Sequence, residues 1–346
     1  MGQFSILDWG VATEQGSRAH QEDRYTCLPP DQFSTPTPQN LAYFAVYDGH
    51  GGIDVADHAR KTLHNRIAAN LSLANGEYEN AISNALKEQD QQLYRDYAAG
   101  MNDAAEIGST VALCLVDLTA RELIVANIGD SHIVLAEPEG SGYRPRRLTR
   151  SHAPSSPGEK ARIEKAGGYV RRSAGDNRIG MQNSTLTAHS TNYMMKKEGS
   201  IDILSRRQKK GTINMSRALG DLQYKQPLNE SIPTHIANAE TSTGCFTAAK
   251  ADFISNTPHI NHYIPPTDPL PPSSAAEPLS KRKSVLILAT DGVGNFVNDA
   301  PLCEFVAEKT SLGVRAEDVA KEIVGDCAEK RGSDNCTCVV VVMGDV

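Results

Sequence analysis

The sequence predicts an α+β fold, and three features carry the prediction. Short apolar runs rich in β-branched residues recur along the chain, two of them are separated by only the six residues DLTARE, and two helical patterns follow each other directly. Six residues cannot hold a helical crossover, so the runs 110–116 and 123–128 should pair as an antiparallel hairpin, which argues against a doubly wound parallel sheet. Strands in groups and helices in pairs point to α+β layers.

In chain order, strands are expected at 41–47, 110–116, 123–128, 132–136, 285–289 and 336–343. Ile53, Ala56, Arg60, Leu63, Ile67 and Leu71 step by three or four, as do Ile82, Ala85, Leu86, Gln89, Leu93 and Tyr97. Joined through NGEY, these helices should form an αα-hairpin over one sheet face. Further helices are expected at 157–166, stopped by Gly167-Gly168, at 300–309 and at 316–331. Two stretches read as insertions or loops on one domain: 174–210, made basic by Lys196, Lys197, Arg206, Arg207, Lys209 and Lys210, and 255–283, which holds seven of the 18 prolines.

A net charge of -7 argues against a general nucleic-acid binder. Seven cysteines, an odd count scattered through apolar runs, fit reduced thiols in a reducing compartment. No apolar run approaches the roughly 20 residues that span a bilayer, and Ile6 stands where a myristoylation signal needs Ser or Thr, so no membrane anchor is expected.

The acids carry the functional signal. Three apolar runs, in AYFAVYDGHGG, ELIVANIGDSH and VLILATDGVG, end in an Asp beside a Gly, and GSDNCTCVVVV opens the last strand with a fourth Asp. Asp48, Asp130, Asp291 and Asp334 thus hold equivalent places at strand ends, where a side chain projects from rigid scaffold into a loop-lined cleft and the Gly lets backbone approach a ligand. Any one of these could be turn chemistry alone. Four of them, none paired to Lys or Arg within its own motif, need cations if they converge, and an all-oxygen set suits Mg²⁺ or Mn²⁺ over zinc or copper. SRAHQEDRY adds Arg18, a possible phosphate fork, Glu22, a further oxygen ligand direct or through water, and Asp23.

RAHQED, FAVYDGHGG, GST, ANIGDS, LTRSHAPSSPGEKARIEKAGG, MSRALGD, LILATDG and SDNCTCVVVV, in this order from about residue 10 to 342, resemble the motif series of the type 2C metal-dependent protein serine/threonine phosphatases, the PPM family. The resemblance implies a single catalytic domain over 1–346, an αββα sandwich of two mainly antiparallel sheets with helices outside, and metals in a cleft at one end. It also implies roles. Asp48 matches the carboxylate bridging two core ions, and the Gly49 carbonyl a ligand of the second. Asp291 and Asp334 match ligands completing the first, Glu22 an acid contacting metal-bound water, and Asp130 with Asp291 the site of a weaker third ion. Arg18 matches the arginine that holds the substrate phosphate and His50 the general acid. Two divalent ions about 3.5 to 4 Å apart acidify a bridging water for in-line attack on phosphorus, and His50 is placed to protonate the departing alkoxide.

Supporting roles are expected for Asp23 and for Arg217 and Asp221 as an ion pair near the site, while His152 and Glu159 should organise the start of the 157–166 helix. Cys336 and Cys338 share a strand face by period two and should pack in the core. Two departures stand out. The family usually has Trp-Asp where this chain has Gly294-Asn295, and Arg where it has His132. The basic segment 174–210 occupies the place of the family's flap and is expected to dock acidic or phosphorylated protein. The expected protein is a monomeric Mg²⁺/Mn²⁺-dependent phosphoprotein phosphatase, cytosolic or, if a transit peptide has been removed, in the mitochondrial matrix. The alternatives are a pseudophosphatase that binds phosphoproteins without hydrolysing them and an enzyme for a small phosphate ester.

Overall fold

The hairpin expected across DLTARE is present in the computed structural model: Val111–Asp117 pairs antiparallel with Glu122–Ile128 in the register Val111 to Ile128. The structure describes residues 3–140, 142–173, 176–180, 212–231, 234–235, 246–247, 249–265 and 283–346. The chain divides into two compact units, one of 1–151, 217–220 and 256–346, the other of 152–216 and 221–255.

The elements are β1 (Phe4–Glu14), β2 (Arg24–Leu28), β3 (Leu41–Tyr47), β4 (Gly49–His50), α1 (Asp54–Ala69), α2 (Leu71–Ala74), α3 (Tyr78–Ala98), β5 (Gly108–Ser109), β6 (Val111–Asp117), β7 (Glu122–Ile128), β8 (His132–Glu139) and β9 (Gly142–Arg147). There follow α4 (Pro157–Lys165), β10 (Tyr169–Ser173), β11 (Asp176–Gly180), β12 (Thr212–Ile213), β13 (Leu219–Gly220), β14 (Thr234–His235), β15 (Phe246–Thr247) and β16 (His259–Tyr263). The chain closes with β17 (Ser284–Ala289), α5 (Asp291–Gly294), α6 (Asp299–Ser311), α7 (Ala316–Ala328) and β18 (Cys336–Asp345).

The first unit is α+β, with two five-stranded antiparallel sheets ordered β1-β18-β17-β8-β9 and β16-β7-β6-β3-β2. Strand periodicity sorts side chains between two cores. Leu286, Leu288, Val339 and Val341 point with Phe44, Val46, Ala112 and Val125 into the layer between the sheets. Val285, Ile287, Cys338 and Val340 point the other way, against Leu302 and Val306 of α6 and Val319 and Ile323 of α7. β17 and β18 are therefore buried on both faces, which is why they read as unbroken apolar runs. Cys336 and Cys338 share the helix-facing side of β18, and the six described cysteines are all free thiols. On the second sheet, α1 packs against β2 and β3 and pairs with α3, burying Val55, Ala56, Ala59, Leu63 and Ile67.

Four strands of this unit carry no clear apolar signal, each for a physical reason. β1, β2, β9 and β16 are edge strands, so one flank and much of one face are wet. β1 is further interrupted by Asp8, whose Oδ2 accepts the Ala316 N–H at the start of α7 at 2.7 Å, a remote helix cap. β16 corrects the expectation of a loop over 255–283: its residues pair with β7 from His259 opposite Asn127 to Tyr263 opposite Leu123. Residues 266–282 lie outside the described residues.

In the second unit, α4 begins with Pro157 in its first turn. The Glu159 carboxylate accepts from Ser216 Oγ at 2.7 Å and from Arg162 at 3.0 Å, and the His152 carbonyl accepts the Ser216 N–H at 2.8 Å. The Glu159 side chain and the His152 backbone thus both bond Ser216 near this helix start. The expected insertion from 174 begins as strand β11, paired with β10, while Lys196, Lys197, Arg206, Arg207, Lys209 and Lys210 lie outside the described residues. Among the described residues no helix is long and apolar enough to cross a membrane.

Candidate active site

All four strand-end aspartates lie in the first unit. Asp48 follows β3, Asp130 lies just beyond β7, Asp291 opens α5 after β17, and Asp334 precedes β18. Their side chains are partly exposed, and they act on one another. Burial, with the charges of Asp23, Asp291, Asp130 and Asp334 around it, holds the Asp48 carboxyl well above the usual carboxylate range. Burial pushes Asp130 up to about 7, with Asp291 adding repulsion and His50 opposing it. Burial and then Asp334 raise Asp291, which accepts from Asn295 Nδ2 at 3.3 Å.

The glycines of these motifs also let neighbouring backbone approach closely. A Cβ on Gly49 would stand 2.5 Å from the Glu22 carbonyl oxygen, and one on Gly292 would stand 2.0 Å from that of Asn335. What comes close is protein backbone, and it carries the next acidic residue: Glu22-Asp23 is brought to Asp48, and Asp334-Asn335 to Asp291. Thr110, of the GST motif, ties a second pair together. Its N–H donates to the Asp48 carbonyl at 2.9 Å, and its Oγ1 lies 2.7 Å from Ser131 Oγ, beside Asp130.

Arg18 makes an ion pair with Asp334 from the far end of the sequence. Its loop is held by Ser17, whose N–H donates to Ser333 Oγ at 3.0 Å, and by Asn335, which sequence reasoning missed. The buried Asn335 side chain accepts the Glu22 N–H at 2.8 Å and donates to the Gln15 and His20 carbonyls at 2.8 and 2.9 Å. Nothing local in SDN signals this, because every partner is over 300 residues away.

Asp23 lies beneath the cluster, 3 % exposed. Its Oδ2 accepts from Thr290 and Thr337, both at 2.8 Å. Burial still pushes it up to about 7 against those two hydrogen bonds. Thr337 also accepts from or donates to Thr13 at 2.9 Å. Thr337→Val is therefore expected to cost about 1–3 kcal/mol, since it removes one of the two hydrogen bonds to the buried Asp23 carboxylate; urea denaturation measures it, and a change below about 0.5 kcal/mol would refute the network's weight.

His50 lies on β4, opposite Gly108 of β5. Arg217 donates to the Thr257 carbonyl at 2.8 Å. Asp221, in the second unit, is buried with a left-handed backbone at φ 50°. The two departures from the family pattern meet in space: a Cβ on Gly294 would stand 2.6 Å from Cε1 of His132. The buried His132 ring occupies the room a larger residue at 294 would take, and burial pushes its pKa down to about 4.

Whether these residues suit a divalent ion can be tested on charge and on placement. Oδ1 of Asp130 and of Asp23 are buried without a hydrogen-bond partner among the described residues, and the neighbouring carboxyls are raised by one another. Hard oxygen donors in need of positive charge fit Mg²⁺ or Mn²⁺. Among the described residues, however, no group of three or more His, Cys, Asp or Glu side chains is so placed that it could hold a metal ion. Proximity and repulsion are present, while Asp334 is turned to Arg18, Asp291 to Asn295 and Asp23 to its two threonines.

The family model for protein phosphatase 2C matches residues 7–336. The chain is 25% identical to protein phosphatase 2C homolog 2 of Hypocrea jecorina over 98% of its own length and 63% of that relative's. It is 25% identical to probable protein phosphatase 2C 8 of Arabidopsis thaliana over 97% of this chain and 79% of the relative. In fold it is similar to the serine-threonine phosphatase 2C of Toxoplasma gondii, with a TM-score of 0.68 at 19% identity over 99% of this chain and 97% of that one. With the family model spanning nearly the whole sequence and the two antiparallel sheets in place, the chain belongs to the protein phosphatase 2C family.

Proposed function

We propose that the protein hydrolyses phosphoserine and phosphothreonine esters of proteins with Mg²⁺ or Mn²⁺, one catalytic domain carrying the activity. The observation that carries this function is the gathering of Asp48, Asp130, Asp291 and Asp334 at strand ends beside Arg18. Once Asp334 turns from Arg18 and Asp291 from Asn295, Asp48, the Gly49 carbonyl, Asp291 and Asp334 would hold two ions, with Glu22 alongside and Asp130 available to a third. Bound there, the ions supply Lewis acidity and neutralise charge for attack of water on phosphorus. The residues of the chain do the rest. Arg18, whose side chain is 59% exposed, can turn from Asp334 to hold two phosphoryl oxygens in its planar fork. His50 protonates the departing seryl or threonyl oxygen, the proton transfer that the poor leaving group needs most. Asp23 keeps the Asp291 and Asp334 strand ends in register through Thr290 and Thr337.

Hydrolysis of p-nitrophenyl phosphate and of a phosphothreonine peptide with Mn²⁺, against an EDTA control, tests this function. Turnover of both, abolished by EDTA, is expected; no metal-dependent turnover of either overturns it. A second function, phosphoprotein binding without hydrolysis, would rest on the exposed Arg18 fork alone. It predicts phosphopeptide binding without turnover in the same samples.

A further inference from the structure

Asp90 is a buried carboxylate on α3, 6% exposed, with no part in the chemistry proposed above. Its two oxygens are spent on two distant segments. Oδ1 accepts the Gly220 N–H at 2.9 Å and Oδ2 accepts from Asn256 Nδ2 at 2.9 Å. Gly220 and Asn256 flank residues 221–255, so one side chain holds both ends of the second of the chain's two excursions from the first unit.

Gly220 leads to the candidate site in two steps. It lies in β13, opposite Gly108 of β5, and Gly108 lies opposite His50 of β4. The next rung repeats the order, Leu219 opposite Ser109 and Ser109 opposite Gly49. This three-stranded sheet has only two residues per strand. So short a ladder cannot hold itself in place; it must be fixed from its ends. At one end the Thr110 N–H bonds the Asp48 carbonyl; at the other a charged acceptor, the stronger kind of hydrogen bond, grips Gly220. Gly220 itself has little freedom: a Cβ there would stand 2.3 Å from the Ile107 carbonyl oxygen.

We infer that Asp90 is a positioning residue, which sets the backbone of Gly49 and His50 by clamping the far strand of this small sheet. The role in turnover rests on the phosphatase function proposed above; the clamping itself does not. Two measurements separate them: amide hydrogen exchange of Gly108 and His50 by NMR, which needs no activity, and kcat and KM for p-nitrophenyl phosphate with Mn²⁺.

Asp90→Ala is expected to speed exchange at Gly108 and His50 at least about tenfold more than at amides of β17 and β18. It should lower kcat by roughly tenfold to a hundredfold, the scale of a small misplacement of catalytic groups, with KM changed less than about twofold. Asp90→Asn should recover most of both, because its remaining oxygen can still accept from Gly220. Asn256→Ala, which leaves the Gly220 bond in place, should fall between wild type and Asp90→Ala, and it carries the test if that variant does not fold. Tyr78→Phe is the stability control: it removes a buried 2.6 Å hydrogen bond to Asp117 from the same helix and should leave kcat unchanged. Exchange that rises uniformly along the chain in Asp90→Asn and Asn256→Ala, or kcat losses no larger than the control's, would overturn the inference. Accelerated local exchange in a protein without phosphatase activity would uphold the clamp and overturn the function.

Discussion

Asp48→Asn is expected to cost on the order of a thousandfold in kcat/KM with Mn²⁺, and at the same time to stabilise the protein in EDTA. The first effect follows from removing the carboxylate proposed to be shared by two ions, whose contribution is several kcal/mol, each 1.36 of which is a factor of ten. The second follows from electrostatics. Burial and four neighbouring carboxylates hold Asp48 well above the usual range, so its charged form is a burden on the ion-free fold. The same imbalance sets a pH dependence. Asp23 and Asp130 are raised from 3.8 to about 7, so between those values the folded state binds more protons than the unfolded state. Stability of the ion-free protein from these groups therefore falls as pH rises from about 4 through about 7. Thermal unfolding in EDTA at pH 5 and pH 8 measures both: Asp48→Asn should melt above wild type at pH 8 and by less at pH 5. A lower melting temperature at pH 8 would show that the carboxylates do not repel one another in the fold.

Gly292→Ala should be nearly as damaging, although it removes no functional group. A Cβ at 2.0 Å from the Asn335 carbonyl oxygen has no side chain to push aside, so two backbone segments must part. Overpacking of that kind costs about 1–3 kcal/mol and sometimes more. The segments that part carry Asp291 and Asp334, so Mn²⁺ binding by calorimetry should weaken along with denaturant stability. Gly325→Ala makes the contrast. It lies within α7 and a Cβ there meets nothing within 4 Å, so it should gain up to about 1 kcal/mol from helix propensity. If Gly292→Ala matches Gly325→Ala in stability and ion binding, the close approach is not what holds the two aspartates together.

The elements with two buried faces and the long amphipathic helices were legible from sequence because their signal is local: the runs at β3, β6, β7, β17 and β18 and the spacing along α1 and α3 depend only on nearby residues. The edge strands β1, β2, β9 and β16 were not, since half their environment is water and their partners are remote. The four aspartates were visible for a comparable reason, a repeated strand-then-Asp pattern, and the ordered motif series supplied the family. Asn335, Thr290, Thr337 and Asp90 escaped notice. Each is an ordinary polar residue whose importance comes from hydrogen bonds to partners far along the chain, and no spacing rule reports those.

By itself the sequence determined the layered α+β class, the identity of the acidic residues and the family, because hydrophobic periodicity and motif order are properties of the chain. Only the tertiary structure decided what those residues meet: that the motif glycines admit neighbouring backbone, that Arg18 pairs with Asp334, and that His132 fills the space beside Gly294. Hydrogen bonds, close packing and charge repulsion act through space over a few ångströms, and folding alone sets which residues come within that range.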